Sequence, residues 1–210
     1  MTATAVRPDA REPPEVEPAQ VGMWVFLASE MLFFGPVFLA YAYGRSHWPA
    51  GFAAASRETD VVIGTLNTAL LLTSSALVAL AAAFAPTGRR RPWVAPLLAG
   101  ACVLGIAFLA LKGVEYAKEW NEHLVPGAGF KLRAERGAEL FYMLYFFATS
   151  LHAVHLTVGI GVLGAFAWGT HGMKRWARPQ RVEAAGLYWH FVDVVWIFLY
   201  PLIYLAGRNA

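Results

Sequence analysis

Five long stretches almost free of charge run through this chain, and no other feature limits its fold as strongly. They cover about 21–44, 62–85, 93–115, 138–168 and 184–206. A helix needs about 20 apolar residues to cross a hydrocarbon core, and each stretch reaches that length. Membrane strands are excluded, because they are about half as long and alternate in polarity. The expected fold is all-α: a polytopic membrane protein with a five-transmembrane-helix bundle at 21–206. Composition agrees. Charged residues make up 15% of the 210-residue chain and hydrophobic residues 58%, whereas a soluble domain carries about 25% charge. The net charge of +3 sits in connections between spans. There it reads as an orientation signal rather than a nucleic-acid footprint, so no nucleic-acid partner is expected.

Residues 1–20 form a tail with Pro8, Pro13, Pro14 and Pro18 among Asp9, Glu12, Glu15 and Glu17. It has almost nothing to bury, so disorder is expected. It lacks the basic start and apolar core of a signal peptide. Pro92 suits a helix start, Pro86 and Gly88 punctuate the second span, and Pro36 should kink the first near Leu32. With five spans, one face of the membrane takes nine Arg and Lys and the other seven. Seven of the nine (Arg89, Arg90, Arg91, Lys174, Arg175, Arg178 and Arg181) crowd two short loops beside helix ends. That excess places the N-terminus in the cytoplasm and the C-terminus outside a cell (inner) membrane. The 116–137 connection should begin as a helical extension, Tyr116 to His123, and break at Pro126 and Gly127. The lone cysteine, Cys102, lies in a span and reads as a small apolar residue.

Ionisable groups inside a bilayer are costly, so each is a functional hypothesis. Glu30 lies about ten residues into the first span, with Phe26, Phe33 and Phe34 on its helical face. Lost hydration weighs against its charged form. It could handle a proton, or simply hydrogen-bond a neighbouring helix. His152 and His155 stand at i, i+3 on the fourth span, with Thr149 a turn earlier. His190 and Asp193 do the same on the fifth, between Trp189 and Trp196. On the second span Asn67 shares a face with Ser74, and Thr68 with Ser75. Asn67, His152, His155, His190 and Asp193 suffice to knit a bundle by interhelical hydrogen bonds. Three imidazoles with Glu30 also fit a metal reading, though no motif fixes a ligand count. Lys112 and Glu115 should close the third helix at the outer interface, as a snorkelling lysine beside a solvated carboxylate or as a lipid-headgroup contact. Trp24, Trp93, Trp168 and Tyr204 fall where aromatic belts form.

These polar positions carry a resemblance. Gly186 to Trp196 reads Gly-Leu-Tyr-Trp-His-Phe-Val-Asp-Val-Val-Trp and resembles the final helix of cytochrome c oxidase subunit III. Leu151-His-Ala-Val-His-Leu156 resembles that family's paired-histidine helix. Leu66-Asn-Thr68 with Leu71-Leu-Thr-Ser-Ser75 resembles its Leu-Asn-Thr helix, and Glu115-Tyr116 its Glu-Tyr pair. Ser29-Glu-Met-Leu-Phe-Phe34 resembles the helix bearing its intramembrane glutamate, so Glu30 takes that role by resemblance. The likeness spans about 21–206, with the motifs in order. It implies a non-catalytic subunit III of a haem-copper terminal oxidase in aerobic respiration, beside subunits I and II. Those subunits hold the haem and copper; this chain is implied to bind no cofactor itself but to contact phospholipid, with Trp189, Lys112 and Glu115 as interface candidates. Long members have seven helices around a lipid-filled cleft, and this chain carries the later five. Other readings are an accessory protein of a nitric oxide reductase and, in a different class, a stand-alone membrane metalloenzyme using His152, His155, His190 and Glu30.

Overall fold

Local chemistry sets where the helices begin. Asp60 caps one of them, its Oδ1 accepting the Val62 and Ile63 N–H groups at 3.1 and 3.3 Å, which satisfies donors that a helix start leaves open. Proline opens two others, at Pro49 and Pro179, where its missing N–H costs nothing. A computed structural model describes residues 18–86, 91–172 and 176–208. Among these the helices are α1 (Pro18–His47), α2 (Pro49–Glu58), α3 (Val61–Phe84), α4 (Val94–Asn121), α5 (Ala138–His171) and α6 (Pro179–Tyr200). A π-helical turn, Pro201–Leu205, extends α6. There is no strand among the described residues. Five helices are long and apolar enough to cross a membrane, so the protein is a multi-pass, all-α membrane protein.

The boundaries depart from expectation in instructive ways. Helix α1 is already formed at Pro18, inside the expected tail and the first residue described, and runs through Pro36 to His47. The rest of the tail, and Arg89, Arg90, Lys174 and Arg175, lie outside the described residues. Pro92 sits in a 3-10 turn, Arg91–Trp93, and α4 proper begins at Val94. Helix α4 carries the expected extension past its apolar stretch, ending at Asn121, two residues short of His123. The chain then reverses at His123, whose φ is 56°.

Helices α3, α4, α5 and α6 close a ring, each packed on its two neighbours, while α1 lies outside it against α5 and α6. Trp189, Trp196, Tyr142, Tyr145, Tyr204 and Phe108 fill the interior. Trp189 fits because two glycines face it. A Cβ on Gly105 would lie 2.9 Å from its ring, and one on Gly159 3.1 Å. Small residues at such crossings let membrane helices approach closely.

Helix α2 has no counterpart in the expected layout. It covers one end of the bundle, packed on α5, α1 and the π turn, with Phe52 edge-on to Tyr41 and Phe141. A π turn leaves carbonyls without helical partners, and α1 and α2 supply donors for them. Tyr41 donates to Leu202 O, Ser56 to Ile203 O at 2.8 Å and Arg45 to Ala206 O at 3.3 Å. Arg208 returns the favour, donating to Thr59 O at 2.7 Å and Arg57 O at 3.1 Å.

Candidate functional site

The polar residues of the spans separate into three groups. The first joins α1 to α5. Glu30 Oε2 lies 3.0 Å from His155 Nε2, and the two side chains are 17% and 15% exposed. His155 Nδ1 lies 2.8 Å from Leu151 O. A carbonyl only accepts, so Nδ1 carries a hydrogen, and one proton is left between Nε2 and the carboxyl. It can rest on either atom, giving an ion pair or a neutral pair, and the net charge is zero both ways. Phe34 is buried with its ring 5.3 Å from the imidazole. Phe33 and Phe26 face outward instead of joining it, so the aromatic shield expected around Glu30 is one-sided. The seam stays partly open.

The second group is a ladder between α3 and α6. Thr65 Oγ1 meets Tyr200 Oη at 2.7 Å, Trp196 Nε1 donates to Thr68 Oγ1 at 3.0 Å, Trp189 Nε1 donates to Ser74 Oγ at 3.1 Å, and Ser75 Oγ meets His190 Nδ1 at 2.6 Å. Asp193 stands on this face, buried beside Ser75, with Oδ1 lacking a protein partner. On the second span Thr68, Ser74 and Ser75 thus bond to α6, mostly to its aromatic residues. Asn67 and His152 are buried in the ring with no protein partner for their side-chain nitrogens or oxygen. His152 lies between Phe108 and Trp196, at ring distances of 5.5 and 5.1 Å.

The third group corrects an expectation. Lys112 and Glu115 do not snorkel to an interface; they are 4% and 1% exposed inside the ring. Lys112 Nζ donates to Glu115 Oε2 at 3.0 Å, Tyr145 Oη at 3.0 Å and Tyr204 Oη at 2.8 Å. An ammonium has three donors, and all three are used. Tyr204 in turn donates to Glu115 Oε1 at 2.7 Å. Tyr204 is wholly buried, so it is no belt residue. Trp189, also offered as a lipid contact, is 1% exposed. The physical reason is shared. α4 extends past its apolar stretch to Asn121, and Tyr145 of α5 and Tyr204 of the π turn reach its Lys112 and Glu115, so Lys112 faces protein rather than the membrane surface. Trp24, Trp93 and Trp168 remain exposed at span ends. Tyr145 was not singled out in the sequence; its i, i+4 spacing to Thr149 was the available signal.

His152 and His155 point to different neighbours, and His190 to a third. Among the described residues no three His, Cys, Asp or Glu side chains come together as a metal-binding group. The arrangement can share a proton at the α1–α5 seam and hold the ring together by hydrogen bonds.

The chain is similar to known proteins. Residues 15–208 match the family described as cytochrome c oxidase subunit III. The cytochrome c oxidase subunit 3 of Thermostichus vulcanus is 30% identical over 198 residues, covering 90% of this chain and 87% of its own. The cytochrome bo(3) ubiquinol oxidase subunit 3 of Pseudomonas aeruginosa is 30% identical over 189 residues, 89% of this chain and 84% of its own. The heme-copper oxidase subunit I+III of Aeropyrum pernix is 32% identical over 200 residues, 88% of this chain, which spans 22% of that protein. The chain belongs to the cytochrome c oxidase subunit III family of haem-copper oxidases.

Proposed function

We propose that this chain is the non-catalytic third subunit of a proton-translocating terminal oxidase in the cell membrane, and that it supports proton uptake at Glu30 while stabilising the catalytic subunit. The observation that carries the reading is the Glu30–His155 pair. Its proton can move between two atoms 3.0 Å apart without creating net charge in the membrane, and its side chains are partly reachable from outside the ring. Subunits I and II hold the haem and copper and carry the electrons. This chain contributes a rigid helical ring and an edge helix, with phospholipid along its exposed apolar faces. The N-terminus faces the cytoplasm. The readings as a nitric oxide reductase accessory and a stand-alone metalloenzyme are not favoured: the named relatives are oxidase subunits, and the histidines point to different neighbours.

The test is the purified oxidase carrying Glu30→Gln. Gln keeps the shape and one hydrogen bond but cannot exchange the proton. The expected result is an assembled complex with normal haem spectra and severalfold slower oxygen consumption. Unchanged turnover across pH would assign Glu30 a structural role alone. A tagged chain that purifies without haem-bearing partners would reject the oxidase assignment.

A further inference from the structure

The third group holds one acid too many. Its charged members are Lys112, Glu115 and Glu119, all on α4 and all buried. Lys112 spends its three donors on Glu115, Tyr145 and Tyr204, and Tyr204 spends its hydroxyl on Glu115. No donor of that ammonium is left for Glu119, on which its charge acts only from a distance. Both Glu119 oxygens are buried without a hydrogen-bond partner, and Tyr145 Oη faces the carboxyl without completing a bond of good geometry. A second buried group points to the same place. Tyr142 is wholly buried, its hydroxyl is unpartnered, and among the surrounding charges Glu119 acts on it most strongly. A lone carboxylate in such a site is among the costliest things a protein can bury, and a carboxyl there takes up a proton instead.

We propose that Glu119 is a proton-storing site: a neutral carboxylic acid at rest, which exchanges its proton with water at the end of the bundle covered by the 122–137 connection. Position makes exchange feasible. Glu119 lies two residues before the end of α4, whereas Lys112 and Glu115 lie deeper. Loss of the proton leaves one negative charge on Glu119, and the Tyr142 and Tyr145 hydroxyls can then rotate to donate to it. Every element around the site contributes a titratable group. Glu115 and Tyr116 come from α4, Tyr142 and Tyr145 from α5 and Tyr204 from the π turn. Glu122 stands in the connection, and Glu58 on α2, the latter already paired with Lys131 at 2.7 Å. None of these supplies Glu119 with a cation. On the inner side the hydroxyls continue along α5, where Tyr116 Oη meets Thr149 Oγ1. One turn further, His152 is sealed by Phe108 and Trp196. The path is closed inward, so the group stores a proton rather than conducting it through the bundle.

The measurement is the infrared spectrum of the purified complex in membranes, wild type minus Glu119→Gln, in H2O and then D2O at neutral pH. The expected result is loss in the variant of one carbonyl stretch of a protonated acid, and in the wild type a downshift of that band in D2O. Glu115→Gln should remove carboxylate bands instead. If Glu119→Gln removes only carboxylate bands, Glu119 is ionised and the proposal falls. A protonated band that does not shift in D2O marks a sealed structural proton and also overturns storage. Should Glu119→Gln fail to assemble, Glu119→Asp gives the same decision. A displaced acid band supports the assignment, and an unmoved one rejects it.

Discussion

At the scale of single residues, Lys112 offers the sharpest expectation. Replacing it by Met leaves the Glu115 carboxylate buried with only the Tyr204 hydroxyl as donor, and breaking such a pair costs about 3–5 kcal/mol. Thermal unfolding of the purified chain in mild detergent should show a large loss for Lys112→Met and partial recovery when Glu115→Gln is added. A single variant as stable as the wild type would mean that the pair contributes nothing. Asp60 gives a pH expectation outside the membrane. The Lys118 ammonium, 3.0 Å away, and then the capping N–H groups hold its carboxyl below the usual range. The folded state thus favours the ionised form. Its contribution is present above about pH 4, the unfolded value, and is lost as pH falls through the lower folded value. Asp60→Asn keeps the cap but loses the pair, about 0.5 kcal/mol for an exposed contact. Its stability should therefore fall less than the wild type's on acidification, as unfolding curves at neutral and acid pH would show. The residues named in advance illustrate what was legible. Glu30 and the histidines stood out because ionisable groups are rare in spans. Asn67 is buried in the ring, but only the three-dimensional ring reveals that Lys112 and Trp189 point inward rather than to lipid. A lysine one turn from a helix end looks alike in sequence whether water or tyrosines await it.

At the scale of elements, apolar length alone located all five spanning helices, since burying a peptide group unpaired is intolerable in lipid. Helix α2 was missed for a physical reason. It is ten residues long, and helices that short depend on tertiary packing rather than on their own sequence. Its register is enforced by Gly51, where a Cβ would fall 2.0 Å from Arg136 O. The crossing at Trp189 is open to the same logic. Gly105→Val should cost about 1–3 kcal/mol through overpacking, because the indole is pinned between two helices and bonded to Ser74. Gly161, which meets nothing within 4 Å, should accept Ala and gain about 0.5–1 kcal/mol. Detergent unfolding of the two variants side by side decides this: similar shifts would show that Trp189 can move away.

At the scale of the whole molecule, α2 and the residues after α6 form a clasp at one end of the ring. Ser56→Ala removes the donor to Ile203 O and the acceptor of the Gly207 N–H, leaving buried backbone groups unpaired at about 1–3 kcal/mol. Faster hydrogen–deuterium exchange should then appear in 201–208 and in 49–58, but not across α3. Exchange rising evenly over the chain would mean that the clasp and ring open as one unit. The edge position of α1 has a further consequence, in the order of manufacture. Helix α1 leaves the ribosome before α2 to α6, yet the long helices it packs on, α5 and α6, leave last. While α3 and α4 are being made, the membrane must hold α1 with Glu30 facing lipid and no imidazole to share its proton. The nascent chain therefore passes through a stage in which Glu30 is inserted but unpartnered, and the arrival of His155 ends that stage.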